Sequence, residues 1–230
     1  MKEKNLYQNS SAYYENNDYY EIFSRAEDGE GKVTKYLMER AKDKIVLDAG
    51  CGTGKFLNIL ENVASKYIGV DLSFDQLIKA QMKRKKESSS FINANLKDLM
   101  LADDSIDLII SPWVLGTVLD IKEREECLHE LKRVLKPGGK IILIENDEGS
   151  EFETLRNRDK DLRTRNYNDW IISNDFNIAK QIDTKFIFNS FVEARNCFLE
   201  IYGDDIANKI KSEIIEHKII LFEFVKGTTE

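Results

Sequence analysis

The chain has 230 residues, of which 42% are hydrophobic and 33% charged, and only 2 are proline. This composition excludes disordered, collagen-like and solenoid proteins, and it predicts one globular domain whose core needs neither disulfides nor a structural metal. Because 34 Lys and Arg stand against 41 Asp and Glu, the net charge is −7, and the field of the whole molecule repels polyanions. The charge therefore disfavours nucleic acid as a partner, unless a local basic patch supplies the contact.

Cysteine and histidine usage bears on the compartment and on metal binding. The three cysteines are odd in number and far apart in the chain: Cys51, Cys127 and Cys197. This pattern is typical of a reducing compartment, and with only His129 and His217 to help, it predicts no metal site. Residues 1–10 are polar, and the aliphatic runs, such as 141–144, are short. We therefore expect no leader, no membrane partner and a cytoplasmic protein.

The first predicted elements in chain order are an aromatic N-terminal segment and an alternation of strands and helices. Residues 7–23 are rich in tyrosine and poor in aliphatic side chains. Short aliphatic runs then alternate with helical patterns from 44 to 146, which predicts a parallel sheet covered by helices. The five predicted strands are 44–49, 67–71, 90–93, 107–111 and 140–146. Apolar spacing predicts helices over 56–64 and 127–135, and Pro-Gly-Gly at 137–139 is predicted to end the second helix.

The pattern changes after residue 146. Residues 148–175 are highly polar, with several arginines among acids, which predicts an insert or lid. The remaining predicted elements are a strand (184–189), a helix (191–201), a break at Gly203, a further helical stretch (206–214) and a final strand (217–225). The two strands are expected to complete the sheet.

Three alternating glycines lie between a predicted buried strand and an amphipathic helix. They are Gly50, Gly52 and Gly54. Glycine has no Cβ, so such a turn lets a ligand approach the backbone, and the following helix presents free N–H groups. A P-loop is excluded because Phe56 follows Lys55 where that motif needs Ser or Thr. A dinucleotide motif is disfavoured because Lys55 stands where its third glycine belongs.

The pattern Asp48-x-Gly50-x-Gly52-x-Gly54 resembles the first motif of the class I S-adenosylmethionine-dependent methyltransferases. The resemblance continues with Asp71 at the end of the second strand. It then covers an adenine-binding stretch at 95–107 and the helix and turn at 128–139. It implies an α/β fold, a Rossmann-like three-layer sandwich. Its seven-stranded, mostly parallel sheet has the order 3-2-1-4-5-7-6, with the last strand antiparallel and helices on both faces.

The resemblance implies one methyltransferase domain over residues 1–230. We predict four parts: an N-terminal helical lid (1–43), a cofactor-binding core (44–146), a polar insert or lid (147–183), and C-terminal strands and helices (184–230). No linker rich in Gly, Ser or Pro divides the chain.

The resemblance also implies which residues bind S-adenosyl-L-methionine. They are Asp48, Gly50, Gly52, Gly54, Asp71, Leu72, Asn95, Leu96, Ser111, Trp113 and Tyr14. Asp71 stands where the family has an acid that accepts hydrogen bonds from both ribose hydroxyls, and one carboxylate can accept two such bonds. The family's usual acid near the adenine is Asn95 here, so we expect that contact to persist without charge assistance.

Methyl transfer from a sulfonium is an in-line displacement that depends chiefly on positioning. The sequence indicates no catalytic base, because His129 points away from the apolar face of its helix and His217 is predicted to be structural. The run Ser111-Pro112-Trp113 differs from Asn or Asp followed by Pro-Pro-aromatic in amine-methylating members. Methylation of adenine N6 or glutamine is therefore disfavoured. Trp113 is predicted to pack beside the adenine, to line the acceptor pocket, or to be a core aromatic.

The predicted function is S-adenosylmethionine-dependent methyl transfer to oxygen, nitrogen or carbon of a small molecule. Tyr13 or Tyr14 would close over the sulfonium through a cation-π contact, unless this segment is a peripheral helix packed by its aromatics. Tyr167 and Trp170 would line the acceptor pocket, unless the insert is a solvated surface. The alternatives are an RNA methyltransferase that uses the basic run 83–86, a protein methyltransferase, and a non-catalytic protein that binds the cofactor. The sequence makes no prediction of the oligomeric state.

Overall fold

The computed structural model describes residues 17–228. Within this range, seven strands form one sheet: β1 (Ile45–Ala49), β2 (Lys66–Asp71), β3 (Ser89–Asn93), β4 (Ile106–Pro112), β5 (Leu135–Asn146), β6 (Asn177–Ile187) and β7 (Ile214–Val225). Their order is β3-β2-β1-β4-β5-β7-β6, which confirms the predicted order.

The sheet is mostly parallel, and its last strand runs the other way. Strand β1 pairs in parallel with β2 and β4, so that Leu47 lies opposite both Ile68 and Ile109. Where β5 pairs with β7, the residue numbers increase in opposite directions along the two strands. The Gly138 N–H donates to the Lys226 carbonyl at 2.8 Å, and the N–H of residue 147 donates to the carbonyl of residue 218 at 2.9 Å. The predicted antiparallel last strand is therefore confirmed.

Along the chain, two helices precede β1 and the others lie between strands. They are α1 (Asn17–Ala26), α2 (Lys32–Ala41), α3 (Leu57–Val63), α4 (Phe74–Lys83), α5 (Ile121–Val134), α6 (Glu151–Leu155), α7 (Arg158–Asp161), α8 (Arg163–Ser173), α9 (Phe191–Tyr202) and α10 (Asp204–Ala207). A short 3-10 turn at Leu115–Thr117 follows β4. Residues 147–183 thus hold three short helices and the first part of β6.

The described residues form two compact units, one of residues 37–143 with 223–228 and the other of 17–36 with 144–222. The core of the first unit includes the aliphatic side chains of β1 and β4. The core of the second is aromatic: the Phe23 and Phe186 ring centroids are 4.9 Å apart, and Phe152 and Phe198 belong to the same cluster. The part of the tyrosine-rich segment that the structure describes is therefore a helix packed by its aromatics. The predicted four-part division of the chain stays a prediction.

The start of β5 differs from the sequence-based expectation. Helix α5 ends at Val134, one residue before its predicted end and before Pro-Gly-Gly, and β5 begins at Leu135 rather than at 140. The Lys226 ammonium, which comes directly after β7, donates to the carbonyls of Lys132, Arg133 and Leu135 at 2.9, 3.3 and 2.8 Å. It satisfies carbonyls that a helix end leaves without partners. The end of α5 is thus capped by a residue far away in the chain.

Two predicted boundaries in the second unit are also wrong. Of the predicted stretch 206–214, only residues 206 and 207 are helical, as the end of α10 (Asp204–Ala207), and Ile214 opens β7 instead. Strand β6 begins at Asn177 rather than at 184, and its first five residues are exposed. Because β6 is the last strand in the sheet order, these residues pair on one side only, and their polar sequence lacks the pattern of a buried strand.

Candidate functional site

The glycine loop joins β1 to α3. Gly50, Gly52 and Gly54 have φ angles of +81°, +53° and +81°, in the left-handed region that favours glycine. At Gly50 a Cβ would also lie 2.2 Å from a methyl group of Val114. The N–H groups of Gly50 and Cys51 both donate to the carbonyl of residue 70, at 2.8 and 3.0 Å. The loop therefore needs glycine for its backbone conformation and is tied to β2.

Asp71 lies buried at the end of β2 and contacts the same loop. Its Oδ2 accepts a hydrogen bond from the Gly52 N–H at 2.8 Å, and its Oδ1 accepts one from the Ser73 N–H at 2.8 Å. Burial raises the pKa of Asp71, and the backbone hydrogen bonds oppose this shift. Each oxygen keeps a second lone pair, so the carboxylate can still accept two hydroxyl donors. Ribose binding by Asp71 stays a prediction, and the contact with Gly52 is an additional role.

The predicted adenine-binding residues follow β2 and β3. The Asn95 Oδ1 accepts a hydrogen bond from the Lys97 N–H at 3.1 Å, which closes a local turn. The amide oxygen expected to meet the adenine amino group therefore already has a donor in the protein. Leu96 is buried, whereas Leu72, directly after Asp71, is 45% exposed. These two apolar side chains thus differ in how accessible they are to a ligand.

Ser111 and Trp113 lie where β4 ends. Ser111 is fully buried, and within residues 17–228 its hydroxyl has no hydrogen-bond partner. Trp113 is partly buried, with a φ of +55°. The Lys55 ammonium of the glycine loop lies 4.7 Å from the centroid of its ring, a cation-π distance. This position beside the glycine loop favours a role for Trp113 at the site over a purely core role.

Asp48 and Cys51 are buried on either side of Gly50. The Tyr67 hydroxyl donates to Asp48 Oδ2 at 2.7 Å. Burial raises the pKa of Asp48 to about 7, while the Tyr67 hydrogen bond lowers it and the charge of Asp71 raises it further. Burial also raises the pKa of the Cys51 thiol well above its ordinary range, which makes this thiol a poor nucleophile at neutral pH.

Sequence reasoning missed three side chains that hold this region together. The Asn93 amide donates to the carbonyls of Asp71 and Leu72 at 3.0 and 2.8 Å. The Lys83 ammonium, at the end of α4, donates to the Thr53 carbonyl at 2.8 Å. Tyr67 is the third. Their partners are 19 to 30 positions away in the chain, so no motif predicts these contacts. The sequence marks Lys83 only as part of the basic run 83–86, and Asn93 only lies at the end of a predicted strand.

The basic run 83–86 is partly used inside the first unit. Besides Lys83, the Arg84 guanidinium donates to the Ser89 carbonyl at 3.2 Å. The backbone N–H groups of Lys85 and Lys86 both donate to the buried carboxylate of Glu61, at 3.2 Å each. The run is therefore anchored by local structure, and two of its four cations already have protein acceptors.

The residues predicted for the acceptor side lie in the second unit. The Tyr167 and Trp170 rings are stacked with centroids 5.9 Å apart, and the Tyr167 hydroxyl donates to Glu145 at 2.9 Å. Glu145 was not predicted. His217 is buried with its Nε2 2.9 Å from Asn146 Oδ1, in keeping with a structural role. His129 is exposed on α5, as expected.

The remaining predictions concern the two N-terminal tyrosines, metal binding and membrane helices. Tyr13 and Tyr14 lie outside the described residues. Between residues 17 and 228, no three His, Cys, Asp or Glu side chains are grouped so that they could hold a metal ion. In the same part of the chain, no helix is both long enough and apolar enough to cross a membrane.

The residues of the first unit fit S-adenosyl-L-methionine, the cofactor that the resemblance implies. A buried carboxylate at the end of β2 suits the two ribose hydroxyls. The Oδ1 atom of Asp48 is buried and has no hydrogen-bond partner among the described residues, which suits the ammonium of the methionine part. The glycine loop lets the backbone approach between these two acids.

Comparisons with known proteins agree with this assignment. Residues 47–143 match the model of a family described as methyltransferase domain. The chain is 36% identical over 101 residues to a malonyl-[acyl-carrier protein] O-methyltransferase of Hamiltonella defensa, covering 44% of this chain and 37% of that protein. It is 29% identical over 140 residues to a tRNA (carboxymethyluridine(34)-5-O)-methyltransferase of Arabidopsis thaliana, covering 61% and 33%. The chain thus spans only about a third of the length of each relative.

A solved structure extends the likeness of the fold to nearly the whole chain. It is N-methyltransferase NodS from Bradyrhizobium japonicum in complex with S-adenosyl-L-homocysteine, with a TM-score of 0.62 and 14% identity. The match covers 97% of this chain and 99% of that one. At this identity the likeness concerns the fold alone.

Proposed function

We propose that this chain is a class I S-adenosylmethionine-dependent methyltransferase that transfers a methyl group to a small-molecule acceptor. The match of residues 47–143 to the model of a methyltransferase domain supports this proposal. The observation that carries the proposal is the junction of Asp71 with the glycine loop. The Gly52 N–H donates a hydrogen bond to one oxygen of Asp71 at 2.8 Å. This bond joins the acid proposed to bind the ribose to the glycine loop proposed to bind the rest of the cofactor.

The proposed roles in the cofactor site follow from the chemistry of each group. Asp71 accepts the ribose hydroxyls, Asn95 accepts the adenine amino group, and Asp48 receives the ammonium. The other proposed contacts are Gly50, Gly52, Gly54, Leu72, Leu96, Ser111, Trp113 and Tyr14. The bound cofactor supplies an electrophilic methyl on a sulfonium, and the chain's contribution is to orient it and the acceptor in line. No residue is assigned as a catalytic base.

The acceptor class is the finer part of the proposal. The names of the relatives differ on it, since one names an acyl-carrier protein and the other a tRNA. The net charge of −7 and the internal use of Lys83 and Arg84 support a small molecule rather than RNA. A single domain over 1–230 and a cytoplasmic location stay predictions.

The experiment pairs binding with transfer. We expect calorimetry to show binding of S-adenosyl-L-homocysteine but not of NADH, and labelled S-adenosyl-L-methionine to mark metabolites in a cell extract. The same assay with total RNA and with protein, at about 50 and 200 mM salt, tests the rivals. Labelled RNA whose yield falls steeply with salt would replace the small-molecule proposal. Binding without any labelled product would favour a non-catalytic protein, and equal affinity for NADH would overturn the cofactor assignment.

A further inference from the structure

A buried tyrosine contacts the acid that precedes the glycine loop. Tyr67 on β2 is completely buried, and its hydroxyl donates to Asp48 Oδ2 at 2.7 Å. In the parallel register, Tyr67 lies opposite Val46, while Asp48 lies opposite Gly69. The phenol therefore reaches along the sheet surface to a side chain two positions further on β1. Such diagonal contacts are within reach of aromatic side chains.

The surroundings of the ring hold this contact in place. The Tyr67 ring packs edge-on against Phe91 of β3, with centroids 6.1 Å apart. At Gly69, two positions along β2, a Cβ would lie 2.8 Å from both the Cys51 sulfur and the Phe91 ring. The absence of a side chain at Gly69 thus makes room for Phe91 and Cys51 on this side of the sheet. Close packing of this kind leaves the ring one position.

The other oxygen of Asp48 has no such donor. Oδ1 is buried and has no hydrogen-bond partner among residues 17–228. Leaving a buried acceptor without a donor is unfavourable. The titratable groups that act on this pair are Cys51 and Asp71, with Glu61 acting on Tyr67, and all three disfavour further negative charge. Among residues 17–228, therefore, no cation neutralises Asp48, and an ammonium would supply both a donor and a charge.

We propose that Tyr67 is a positioning residue that holds Asp48 Oδ2, so that Oδ1 is left to receive the ammonium of a bound amino-acid-containing cofactor. This inference rests on the proposed function. The contact also stabilises the ionised carboxylate, because a hydrogen bond to the charged form lowers the pKa of an acid. Tyr67 thus acts through Asp48 and touches neither the methyl group nor the acceptor.

The test compares two ligands that differ only in the amino-acid part. S-adenosyl-L-homocysteine carries the ammonium, whereas 5′-methylthioadenosine keeps the adenine and ribose without it. For Tyr67→Phe we expect affinity for the first to fall about tenfold, with affinity for the second unchanged. We also expect the ratio of the two affinities to rise with pH in the parent protein, with its midpoint moved to higher pH in Tyr67→Phe. Because both ligands carry ribose, titration of Asp71 cancels in this ratio.

Two further variants keep the test decisive. Asp48→Asn retains an acceptor for Tyr67 and removes the charge, so the ratio should become low and independent of pH. Phe91→Leu loosens the packing of the ring but keeps the hydroxyl, so it should lower the free energy of unfolding and lower the ratio less than Tyr67→Phe does. If Tyr67→Phe weakens both ligands alike or leaves the midpoint in place, Tyr67 is merely structural. If the parent protein binds neither ligand, the proposed function itself fails.

Discussion

Asp71 is the residue on which cofactor binding should depend most. Its carboxylate is buried and holds the N–H groups of Gly52 and Ser73. Both the proposed ribose contacts and the shape of the glycine loop therefore depend on one side chain. A carboxylate in this position is difficult to replace, because a neutral amide offers only one acceptor oxygen.

We predict that Asp71→Ala weakens binding of S-adenosyl-L-homocysteine by about 100-fold or more, since hydrogen bonds to a charged group contribute about 1.5–3 kcal/mol each. Calorimetry measures this directly. Asp75→Ala, at an exposed acid in the first turn of α4, is the matched control and should leave affinity unchanged. Unaltered affinity in Asp71→Ala would remove the ribose assignment.

Asp48 makes the stability of the ligand-free protein depend on pH. Its pKa of about 7 in the folded protein lies above the ordinary value of 3.8. Between about pH 4 and pH 7, Asp48 therefore keeps its proton in the folded protein, whereas it has released this proton in the unfolded chain. The stabilisation is complete below about pH 4 and is lost as the pH rises towards 7, at no more than about 1.4 kcal/mol per pH unit.

We expect the free energy of unfolding of the parent protein, taken relative to Asp48→Asn, to decrease from about pH 5 to pH 7. Urea unfolding at several pH values measures both proteins. A buried acid that does not act on Asp48, such as Glu153, titrates in both and cancels in the difference. A difference that does not vary with pH would show that Asp48 is already ionised.

At the scale of elements, α5 holds the segment between β3 and β4. Arg133 donates to the carbonyls of Leu99 and Leu101 at 3.0 and 2.9 Å and pairs with Glu130 at 2.6 Å. Glu130 in turn accepts from the Leu99 N–H at 2.9 Å. A single guanidinium thus ties the segment that follows Asn95 to the last turn of the helix. Lysine carries the same charge but has no planar fork for these acceptors.

We predict that Arg133→Lys lowers the free energy of unfolding by about 1–3 kcal/mol, because the two carbonyls lose donors. Urea unfolding at neutral pH checks this. Glu126→Gln, at an exposed position of the same helix, is the control and should change the free energy of unfolding by less than about 0.5 kcal/mol. Equal stability of Arg133→Lys and the parent would show that water replaces the guanidinium without cost.

At the scale of the whole molecule, ligand binding should stabilise the chain by mass action. A ligand present at about 100 times its Kd contributes about 2.7 kcal/mol, which raises the Tm of a protein of this size by about 5–10 °C. We expect this shift in a thermal scan with S-adenosyl-L-homocysteine. NADH at the same concentration should leave the Tm unchanged, and a comparable shift with NADH would favour the dinucleotide interpretation.

The aromatic core of the second unit is also a feature of the whole molecule, because it joins residues that are far apart in the chain. The second unit packs Phe23 of α1 against Phe152, Phe186 and Phe198, with centroids 4.9 to 6.1 Å apart. Aromatic spacing marked Phe23 in the sequence, but it left a lid and a packed helix as equal alternatives. The burial of Phe23 decides for packing in the described part of this segment.

The strand order was implied by the resemblance to the methyltransferase family. From its residues alone, the sequence determined where β1 to β4 lie, the glycine loop and the position of Asp71 at the end of β2. These features are written in local patterns: buried strands as aliphatic runs, helices as a repeat of 3.6 residues, and the turn as alternating glycines. Each depends on neighbours within a few positions, so one window of sequence carries the whole signal.

Only the tertiary structure decided which polar side chains complete the site and where some elements end. Tyr67 reaches Asp48 across 19 positions, and Lys226 reaches the last turn of α5 across as many as 94. The first half of β6 is exposed, so its sequence lacks the apolar pattern of a buried strand. Its pairing with β7 makes it a strand. Hydrogen bonds of this kind depend on the distance between atoms in space, which the spacing of residues along the chain does not encode.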